Sequence, residues 1–477
     1  MRARHGLLAA TLILSSCAGM GTHTQGRHDA PYELRTEYAR EPLGIDAAQP
    51  RLAWRLPSAV QTAYRVRVAT DAGALESAPL WDSGRVVSAD STKLAYAGPA
   101  LASRTRYWWQ VQTWDANGQA SAWSAPSWWE TGLLAPADWS ASWISGRTAP
   151  DHQWSDAKIA VDFTLSGKSL GVLWRARPVG KTYGEAYLWR IADEGGRIRL
   201  AEQVRRYAGG NSSKVDTVTL RTLSVADDAA QWKQQRHHLR IEAQGKTLKT
   251  TLDDLALDTL EDGAQAAGTV GFVASEASAA TIHALSVEGE GAAAFHTEFA
   301  QGDNPFTGGS VGQDGLNVAS GVPDKDIVLP IAAPAPLLRR EFALDDQPVS
   351  ARLYVAAGGL PRLLLNGAPV GEALADGYTD YSKRVLVRTY DVTALLHAGA
   401  NAIGAELGRG WYGVTEPNEW YWHMAPWHGA PVLRAQLEVT LASGKRVIVG
   451  SDAQWRASDG PTLHDSVYGG ERYDARL

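Results

Sequence analysis

Short runs of alternating apolar and polar residues recur along most of the chain, separated by clusters of Gly, Pro, Asn and Asp. In one run, Tyr64, Val66 and Val68 alternate with Arg65 and Arg67. A period of two places one set of side chains on a buried face and the other set in solvent, which is the pattern of a β-strand. No segment keeps a helical period beyond one or two turns. The pattern therefore predicts an all-β protein.

Residues 31–134 are predicted to form a sandwich like that of fibronectin type III domains. The run 107–114 alternates in the same way and ends in the turn sequence Asp-Ala-Asn-Gly at 115–118. Short strands at even spacing, with turn signals between them, indicate such a sandwich. The segments 121–124 and 129–132 also resemble its closing strands. We expect this module to position other domains.

Residues 151–291 are predicted to form a second β-domain, inserted between the first module and the last. Eight or nine strand-like runs follow one another there, with Gly, Asp and Asn clusters between them and no convincing helix. Two packed sheets in a jelly roll are the natural closure for so many strands. The order of the strand sequences also resembles concanavalin-like lectin domains.

A lectin-like insert would hold sugar with aromatic rings and arginines. Trp and Tyr rings pack on the apolar faces of sugars, and a guanidinium donates paired hydrogen bonds to hydroxyls. The candidates are Trp174, Tyr183, Tyr187, Trp189, Tyr207, Arg175, Arg177 and Arg190. The alternative is that Trp174 and Trp189 are core residues and the arginines are solvent-facing partners of nearby acids.

Residues 292–335 are predicted to be a linker. The segment is rich in Gly, Asp, Pro and Ala, and only 327–329 has the character of a strand. Pro330, Pro334 and Pro336 are expected to stiffen its end.

Residues 336–477 read as a third module, a meander of strands. Asn366 and Gly367 form a pair that accepts positive φ at both centres of a tight hairpin turn. Further along, Asp391 or Thr393 can cap a single helical turn that ends at Gly399, and a strand follows from 401 to 407. These signals predict a β-sandwich with polar turns.

Six sequence words in this third module resemble the N-terminal β-sandwich of bacterial α-L-rhamnosidases of glycoside hydrolase family 78. They occur in the family's order at 338–342, 366–367, 377–381, 390–393, 407–412 and 469–476. The resemblance implies a parent enzyme that removes terminal L-rhamnose from plant glycosides or polysaccharides. In the family, a second sandwich and a helical barrel follow this region and carry the catalytic residues.

The chain is accordingly expected to hold no catalytic residue. Glycoside hydrolysis needs two carboxyl groups at a set separation, one of them with a raised pKa, in a pocket around the glycosidic bond. The family builds that pocket from helices, and this sequence has no helical periodicity. The chain is therefore predicted to be a non-catalytic N-terminal region that ends before the barrel.

A loop at 416–428 is the densest aromatic segment of a chain with 19 Trp and 16 Tyr. So many large apolar faces should not stay exposed, so the loop is expected either to pack on a neighbouring domain or to hold a ligand. The absent family domains favour packing. The candidate carbohydrate-binding residues here are Trp411, Tyr412, Trp420, Trp422, Trp427 and the acid Glu419. Glu416 is a further acid that could hydrogen-bond a sugar.

The first residues are predicted to be an export signal. Basic residues at 2 and 4 precede an apolar run from 6 to 14 that is too short to span a bilayer, and Ser15 and Ser16 then precede Cys17. This resembles a lipobox, with a signal peptide at 1–16, lipidation of Cys17 and a tether at 17–30. The alternative is an ordinary secretory peptide. An outer-membrane lipoprotein or a periplasmic protein is the expected localisation, with the membrane as a partner through the anchor.

Other site classes have little support in the sequence. The net charge is −6, with the 46 basic residues scattered, so no nucleic-acid footprint is predicted. Cys17 is the only cysteine, and no zinc or nucleophile motif occurs. No cofactor is expected. Calcium would suit a lectin-like insert because clustered carbonyl and carboxylate oxygens suffice, but no residues can be assigned to it.

Two functions from different classes remain. The first is the accessory part of an exported α-L-rhamnosidase, which binds rhamnose-containing glycans or acts as a scaffold and has the C-terminal catalytic domain as its partner. The alternative is a free-standing surface lipoprotein that binds carbohydrate without cleaving it. The sequence downstream of Leu477 would distinguish them.

Overall fold

A computed structural model describes residues 30–56, 60–147, 152–209, 214–274, 279–299, 302–319, 325–372 and 377–477. The predicted signal peptide, Cys17 and almost the whole tether lie outside these residues. The chain divides into two compact units, Met1–Asp138 and Trp139–Leu477. Nearly all of the regular structure is β-strand, which confirms the predicted all-β class.

The first unit is a small two-sheet domain. Its strands are β1 Tyr32–Thr36, β2 Arg51–Arg55, β3 Ala63–Ala69, β4 Trp81–Asp82, β5 Val86–Val87, β6 Leu94–Ala95, β7 Arg106–Trp114 and β8 Ser127–Glu130. One sheet has the order β1-β2-β6 and the other β4-β3-β7-β8, with β5 on β3. A single helical turn, α1, spans Ala74–Ser77, and a 3-10 turn spans Pro136–Asp138. Trp54, Trp109 and Trp129 are buried in its core.

The second unit begins with the insert. Its strands are β9 Trp154–Leu165, β10 Ser169–Val179, β11 Thr182–Glu194, β12 Arg197–Tyr207, β13 Val215–Ala226, β14 His237–Gln244, β15 Thr247–Leu252, β16 Leu255–Glu261, β17 Thr269–Ala274, β18 Ala280–Gly291, β19 Phe295–Thr297, β20 Ser310–Gly312, β21 Gly315–Val318 and β22 Lys325–Val328. Its single described helical turn, α2, spans Ala229–Trp232. The strands form a six-stranded sheet, β13-β12-β11-β10-β17-β22, and an eight-stranded sheet, β16-β15-β14-β9-β18-β21-β20 with β19 on β18.

The predicted linker 292–335 is therefore wrong for most of its length. Strands β19, β20 and β21 extend the eight-stranded sheet, and β22 is the edge strand of the six-stranded sheet. Leu316, Val318, Ile327 and Leu329 from this segment are at most 1% exposed and lie in the same core as Trp174. The insert thus continues to about residue 329, because its sheets need these strands to cover their apolar faces.

The rest of the second unit is a β-sandwich. Its strands are β23 Pro336–Leu344, β24 Pro348–Gly358, β25 Leu360–Leu365, β26 Ala368–Val370, β27 Val387–Asp391, β28 Gly399–Gly408, β29 Val432–Leu441, β30 Arg446–Gly450, β31 Arg456–Asp459, β32 Thr462–Ser466 and β33 Gly470–Tyr473. A five-stranded sheet, β26-β25-β28-β23-β31, faces a four-stranded one, β27-β24-β29-β30, across an aliphatic core. Strands β32 and β33 form a separate hairpin. Two 3-10 turns span Thr393–Leu395 and Trp422–Met424.

Local sequence signals fix the turns of this sandwich. The backbone φ is +52° at Asn366 and +82° at Gly367, and Leu365 pairs with Ala368 across them, which confirms the predicted hairpin. Gly399 has a positive φ, +90°, but it begins β28 three residues after the C-cap Leu396, so the prediction that it ends the helical turn is wrong. Upstream, Ile144 pairs with Leu433, so the chain that leads into the insert is tied to the sandwich.

Candidate functional site

Seven aromatic rings form one connected surface on the sandwich, which we call the aromatic patch. Its members are Tyr378, Tyr381, Trp411, Tyr412, Trp422, Trp427 and Tyr468. The ring centroids of Trp411 and Trp422 are 5.2 Å apart, and those of Tyr378 and Trp422 are 4.7 Å apart. The rings cross at steep angles, so their faces and edges interlock rather than stack. The patch is therefore a defined surface with several differently oriented ring faces.

The patch is open to solvent. Tyr378 is 53% exposed and Tyr468 44% exposed, and none of its seven members is fully buried. Trp420 is 70% exposed, but no aromatic contact joins it to the patch among the described residues. Exposed, clustered rings of this kind mark surfaces that bind sugars, proteins or other domains.

Backbone and side-chain hydrogen bonds hold the loop that carries Trp422 and Trp427. The side-chain oxygen of Asn418 accepts hydrogen bonds from the backbone N–H of Trp420 (3.1 Å) and of Trp422 (3.3 Å). Tyr421 adopts a left-handed conformation, with φ of +58°, and a 3-10 turn follows. Burial lowers the pKa of His423 in that turn to about 4, so the ring is neutral at neutral pH. Hydrogen bonds within the loop therefore fix its conformation.

One side of the loop packs on the insert. Lys181, at the tip of the β10–β11 hairpin, forms an ion pair with Glu419, and the N–H of Gly180 donates to Met424 Sδ at 3.3 Å. The sequence left packing and ligand binding as alternatives for this loop. The structure shows that it packs on the insert while the aromatic patch stays exposed.

A cavity of about 590 Å³, which we call the interface cleft, lies next to this contact, between the insert and the sandwich. Its polar lining from the insert consists of Lys181, Thr182, Lys325 and Asp326. Its polar lining from the sandwich consists of Glu416, His464, Glu471 and Arg472. Cavities of this size accommodate small ligands and sugar residues.

Two acids of the cleft lie against a basic side chain, Asp326 in a buried ion pair with Arg205 and Glu416 in contact with His464. Arg205 Nη1 lies 2.8 Å from Asp326 Oδ1, and the N–H of Tyr183 donates to the same carboxylate at 3.1 Å. His464, only 8% exposed, lies 2.8 Å from Glu416 Oε1. Burial acts to raise the pKa of Glu416, but the hydrogen bond and the charge of His464 outweigh it, and that pKa lies below its usual value.

A second cavity, the hairpin groove of about 640 Å³, is lined by Trp411 and by three acids. His464 lines the cleft and its neighbour Asp465 lines the groove, since adjacent side chains of a strand point to opposite faces. Burial raises the pKa of Asp465, which accepts the N–H of Arg409 at 2.6 Å. The hydroxyl of Thr462 contacts both other acids, Glu406 at 2.8 Å and Glu471 at 3.1 Å. The groove thus offers hydrogen-bond acceptors beside the aromatic patch.

Three of the candidates in the insert, Trp174, Trp189 and Arg175, are not accessible. Trp174 and Trp189 are 1% and 0% exposed, and Trp174 stacks on Tyr187 at 4.5 Å between the two sheets. Arg175 is 4% exposed and donates to the backbone oxygens of Gly245 and Gln265, both at 3.0 Å. No face of these three side chains remains for a sugar. Their predicted role as ligand-binding residues is corrected to a core role.

The structure unites some predicted residues and adds others. Trp411, Tyr412, Trp422 and Trp427 share the aromatic patch, whereas Glu419 and Trp420 lie outside it. Tyr378, Tyr381 and Tyr468, which complete the patch, were not predicted as site residues. Of the residues that line the cleft, only Tyr183 and Glu416 were among the candidates. The patch and cleft residues that were missed come from elements distant in sequence, and no local motif identifies them.

Within the described ranges, no three His, Cys, Asp or Glu side chains are placed to hold a metal ion together. Of the helices that the structure describes, none has the length and apolar character to cross a membrane.

Two parts of the chain match family descriptions. Residues 31–135 match the description "Rha78A-like, N-terminal immunoglobulin domain". Residues 346–477 match "Alpha-L-rhamnosidase N-terminal domain". The region between them, which includes the insert, is covered by the similarities to individual proteins described next.

Curated relatives extend the similarity over most of the chain. An α-L-rhamnosidase of Streptomyces avermitilis is 36% identical over 468 residues, which cover 92% of this chain and 42% of that protein. An α-L-rhamnosidase of Formosa agariphila is 24% identical over 457 residues, which cover 94% of this chain and 31% of that protein. The chain thus spans less than half the length of these curated relatives.

Solved structures agree. The crystal structure of S. avermitilis α-L-rhamnosidase complexed with L-rhamnose superposes with a TM-score of 0.54 at 31% identity, covering 94% of this chain and 43% of that one. The α-L-rhamnosidase of Dictyoglumus thermophilum, at 21% identity and a TM-score of 0.52, shares the fold. The chain corresponds to the N-terminal region of α-L-rhamnosidases, with matches to the N-terminal immunoglobulin domain and the N-terminal domain of those proteins.

Proposed function

We propose that this chain is the accessory N-terminal part of an exported α-L-rhamnosidase and that it binds the rhamnose-containing glycans on which the enzyme acts. Hydrolysis of terminal α-L-rhamnose from plant glycosides or polysaccharides would then be the work of a catalytic domain outside this chain. The observation that carries the proposal is the exposed aromatic patch, in a region whose relatives are α-L-rhamnosidases.

The chemistry of rhamnose suits the patch. L-Rhamnose is a 6-deoxy sugar, so its methyl group and ring C–H bonds present an apolar face that packs on an aromatic ring. Trp411 belongs to both the patch and the hairpin groove, where Glu406 and Glu471 can accept hydrogen bonds from hydroxyls. An apolar platform next to a few convergent polar groups is the usual composition of a ligand site.

The acids of the interface cleft support a binding role over a catalytic one there. A glycosidase needs a carboxylic acid that still holds its proton at working pH and a second carboxylate opposite it. In the interface cleft, Glu416 is engaged with His464 and Asp326 with Arg205. Although burial acts to raise it, the contact with His464 brings the pKa of Glu416 below its usual value, which favours the ionised carboxylate and works against proton donation.

Calorimetric titration of the purified chain with rhamnose-rich oligosaccharides tests the binding proposal. We expect measurable binding that Trp411→Ala weakens about tenfold, because one ring contact contributes on the order of 1 kcal/mol. Trp143→Ala is the matched control, since Trp143 is 44% exposed and outside the patch. Binding unaffected by Trp411→Ala, or no binding by a folded chain, would refute the proposal.

Export belongs to the same proposal and is supported by the basic start, the short apolar run and the cysteine at 17. The product would be an outer-membrane lipoprotein or a periplasmic protein. Labelling of bacterial cells with radioactive palmitate should mark the protein and should fail with Cys17→Ser. Labelling that survives this substitution would show that Cys17 is not the lipidated residue.

A further inference from the structure

We propose that the interface cleft binds a uronic acid residue, so that the ligand is an acidic glycan. This inference rests on the proposed function only in taking the ligand to be a carbohydrate. The evidence is two cations of the lining that form no ion pair among the described residues, together with the chemistry of the groups around them.

Two cations of the cleft form no ion pair among the residues that the structure describes. Asp326 and Glu416 are paired with Arg205 and His464, and Lys181 is paired with Glu419. After these pairs, three charged side chains remain in the lining, namely Lys325, Arg472 and Glu471. Two of the three are cations, and they come from opposite walls, Lys325 from β22 and Arg472 from β33.

Among the described residues Arg472 forms no ion pair, and the charge of Asp303, which pairs with Arg476, acts on it only from beyond ion-pair distance. Arg472 Nη1 donates to the backbone oxygen of Asn304 at 2.9 Å, its buried Nε has no hydrogen-bond partner, and burial lowers the pKa of the guanidinium. Among the residues that the structure describes, no carboxylate lies within ion-pair distance of Arg472 or Lys325. A partly buried cation without an anion is costly, so the site is complementary to a carboxylate that a ligand supplies.

The rest of the lining suits a sugar ring that carries this carboxylate. The side chains of Glu471 and Glu416 are acceptors for ring hydroxyls, and Phe306, Pro330 and Pro417 supply apolar surface for C–H groups. A volume of about 590 Å³ is within the range of saccharide and small-ligand sites. A neutral deoxy sugar would fill the same space but would leave both cations unbalanced. The cleft and the aromatic patch are therefore suited to different residues of one acidic, rhamnose-containing glycan.

Calorimetry with the full chain tests the assignment, with an oligomer of galacturonic acid as the probe and its methyl ester as the neutral counterpart. We expect the acid to bind and the ester to bind at least tenfold more weakly. Arg472→Gln and Lys325→Gln should each weaken binding of the acid at least fivefold. Arg339→Gln is the control, because Arg339 is exposed on β23 and pairs with Glu341.

The outcomes separate this inference from the proposed function. Equal binding of acid and ester, or no binding of the acid by a folded chain, overturns the uronate site whatever neutral rhamno-oligosaccharides do. Trp411→Ala should weaken the neutral rhamno-oligosaccharide and leave the galacturonate oligomer unchanged. Because Lys325 is exposed, Lys325→Gln should fold even if Arg472→Gln does not. Unchanged acid binding by Lys325→Gln, with its melting temperature preserved, would also contradict the site.

Discussion

Glu202 is a single buried acid that connects the two sheets of the insert. It is 0% exposed on β12, and it accepts a hydrogen bond at 2.6 Å from the hydroxyl of Thr250 on β15. Burial, together with the nearby carboxyl of Asp258 on β16, raises the pKa of Glu202 from 4.5 to about 7. The folded protein therefore holds a proton at Glu202 that the unfolded chain releases above pH 4.5.

This residue makes the stability of the insert depend on pH. Because the pKa is higher in the folded state, the stabilisation is complete below pH 4.5 and is lost as the pH rises toward 7. Urea unfolding at pH 5 and pH 8 should differ by on the order of 2–3 kcal/mol from this group. Glu202→Gln should remove that difference, whereas Glu341→Gln, at an exposed position on β23, should not. An unchanged pH dependence in Glu202→Gln would contradict the assignment.

Sequence reasoning about single residues succeeded where the signal was local. The positive φ of Asn366 and Gly367 followed from residue type alone, because few other residues accept that conformation. Trp174 and Trp189 could not be assigned in the same way, since a Trp in an alternating strand suits a core as well as a binding face. Only the packing of the second sheet over them decides between the two.

At the scale of elements, the strands that were missed explain the error in the insert boundary. Strands β19 to β22 are three or four residues long, too short to display an alternating pattern, and they lie in a segment rich in Gly and Pro. Two longer strands, β12 and β16, were also not among the predicted runs. In the fold, β22 pairs with β17, β19 and β21 pair with β18, and β20 pairs with β21. These hydrogen bonds between distant segments are not visible in the sequence.

The boundary has a direct test in two fragments. A fragment 152–335 should fold, and a fragment 152–291 should not. The shorter one leaves the edges of β17 and β18 unpaired and loses four aliphatic side chains, Leu316, Val318, Ile327 and Leu329, whose burial contributes together on the order of 6–12 kcal/mol. That is comparable to the whole stability of a domain. Circular dichroism and amide dispersion in NMR spectra measure whether each fragment folds. A folded fragment 152–291 would support the original prediction that 292–335 is a linker.

At the scale of the whole molecule, the candidate sites depend on residues that sequence places far apart. The loop 416–428 was recognisable as a site by its aromatic density alone. By contrast, Lys325, His464 and Arg472 meet in the cleft only because the insert and the sandwich pack together within the second unit. Charge balance between distant side chains carries no local sequence signal, so this cleft could not be predicted from the sequence.

The hairpin of β32 and β33 is a thin partition, because Glu471 belongs to the lining of both the interface cleft and the hairpin groove. A ligand in one cavity that displaces the Glu471 side chain therefore changes the lining of the other cavity. Thermodynamic linkage then requires the effect to be reciprocal, so that each ligand raises or lowers the affinity for the other by the same factor.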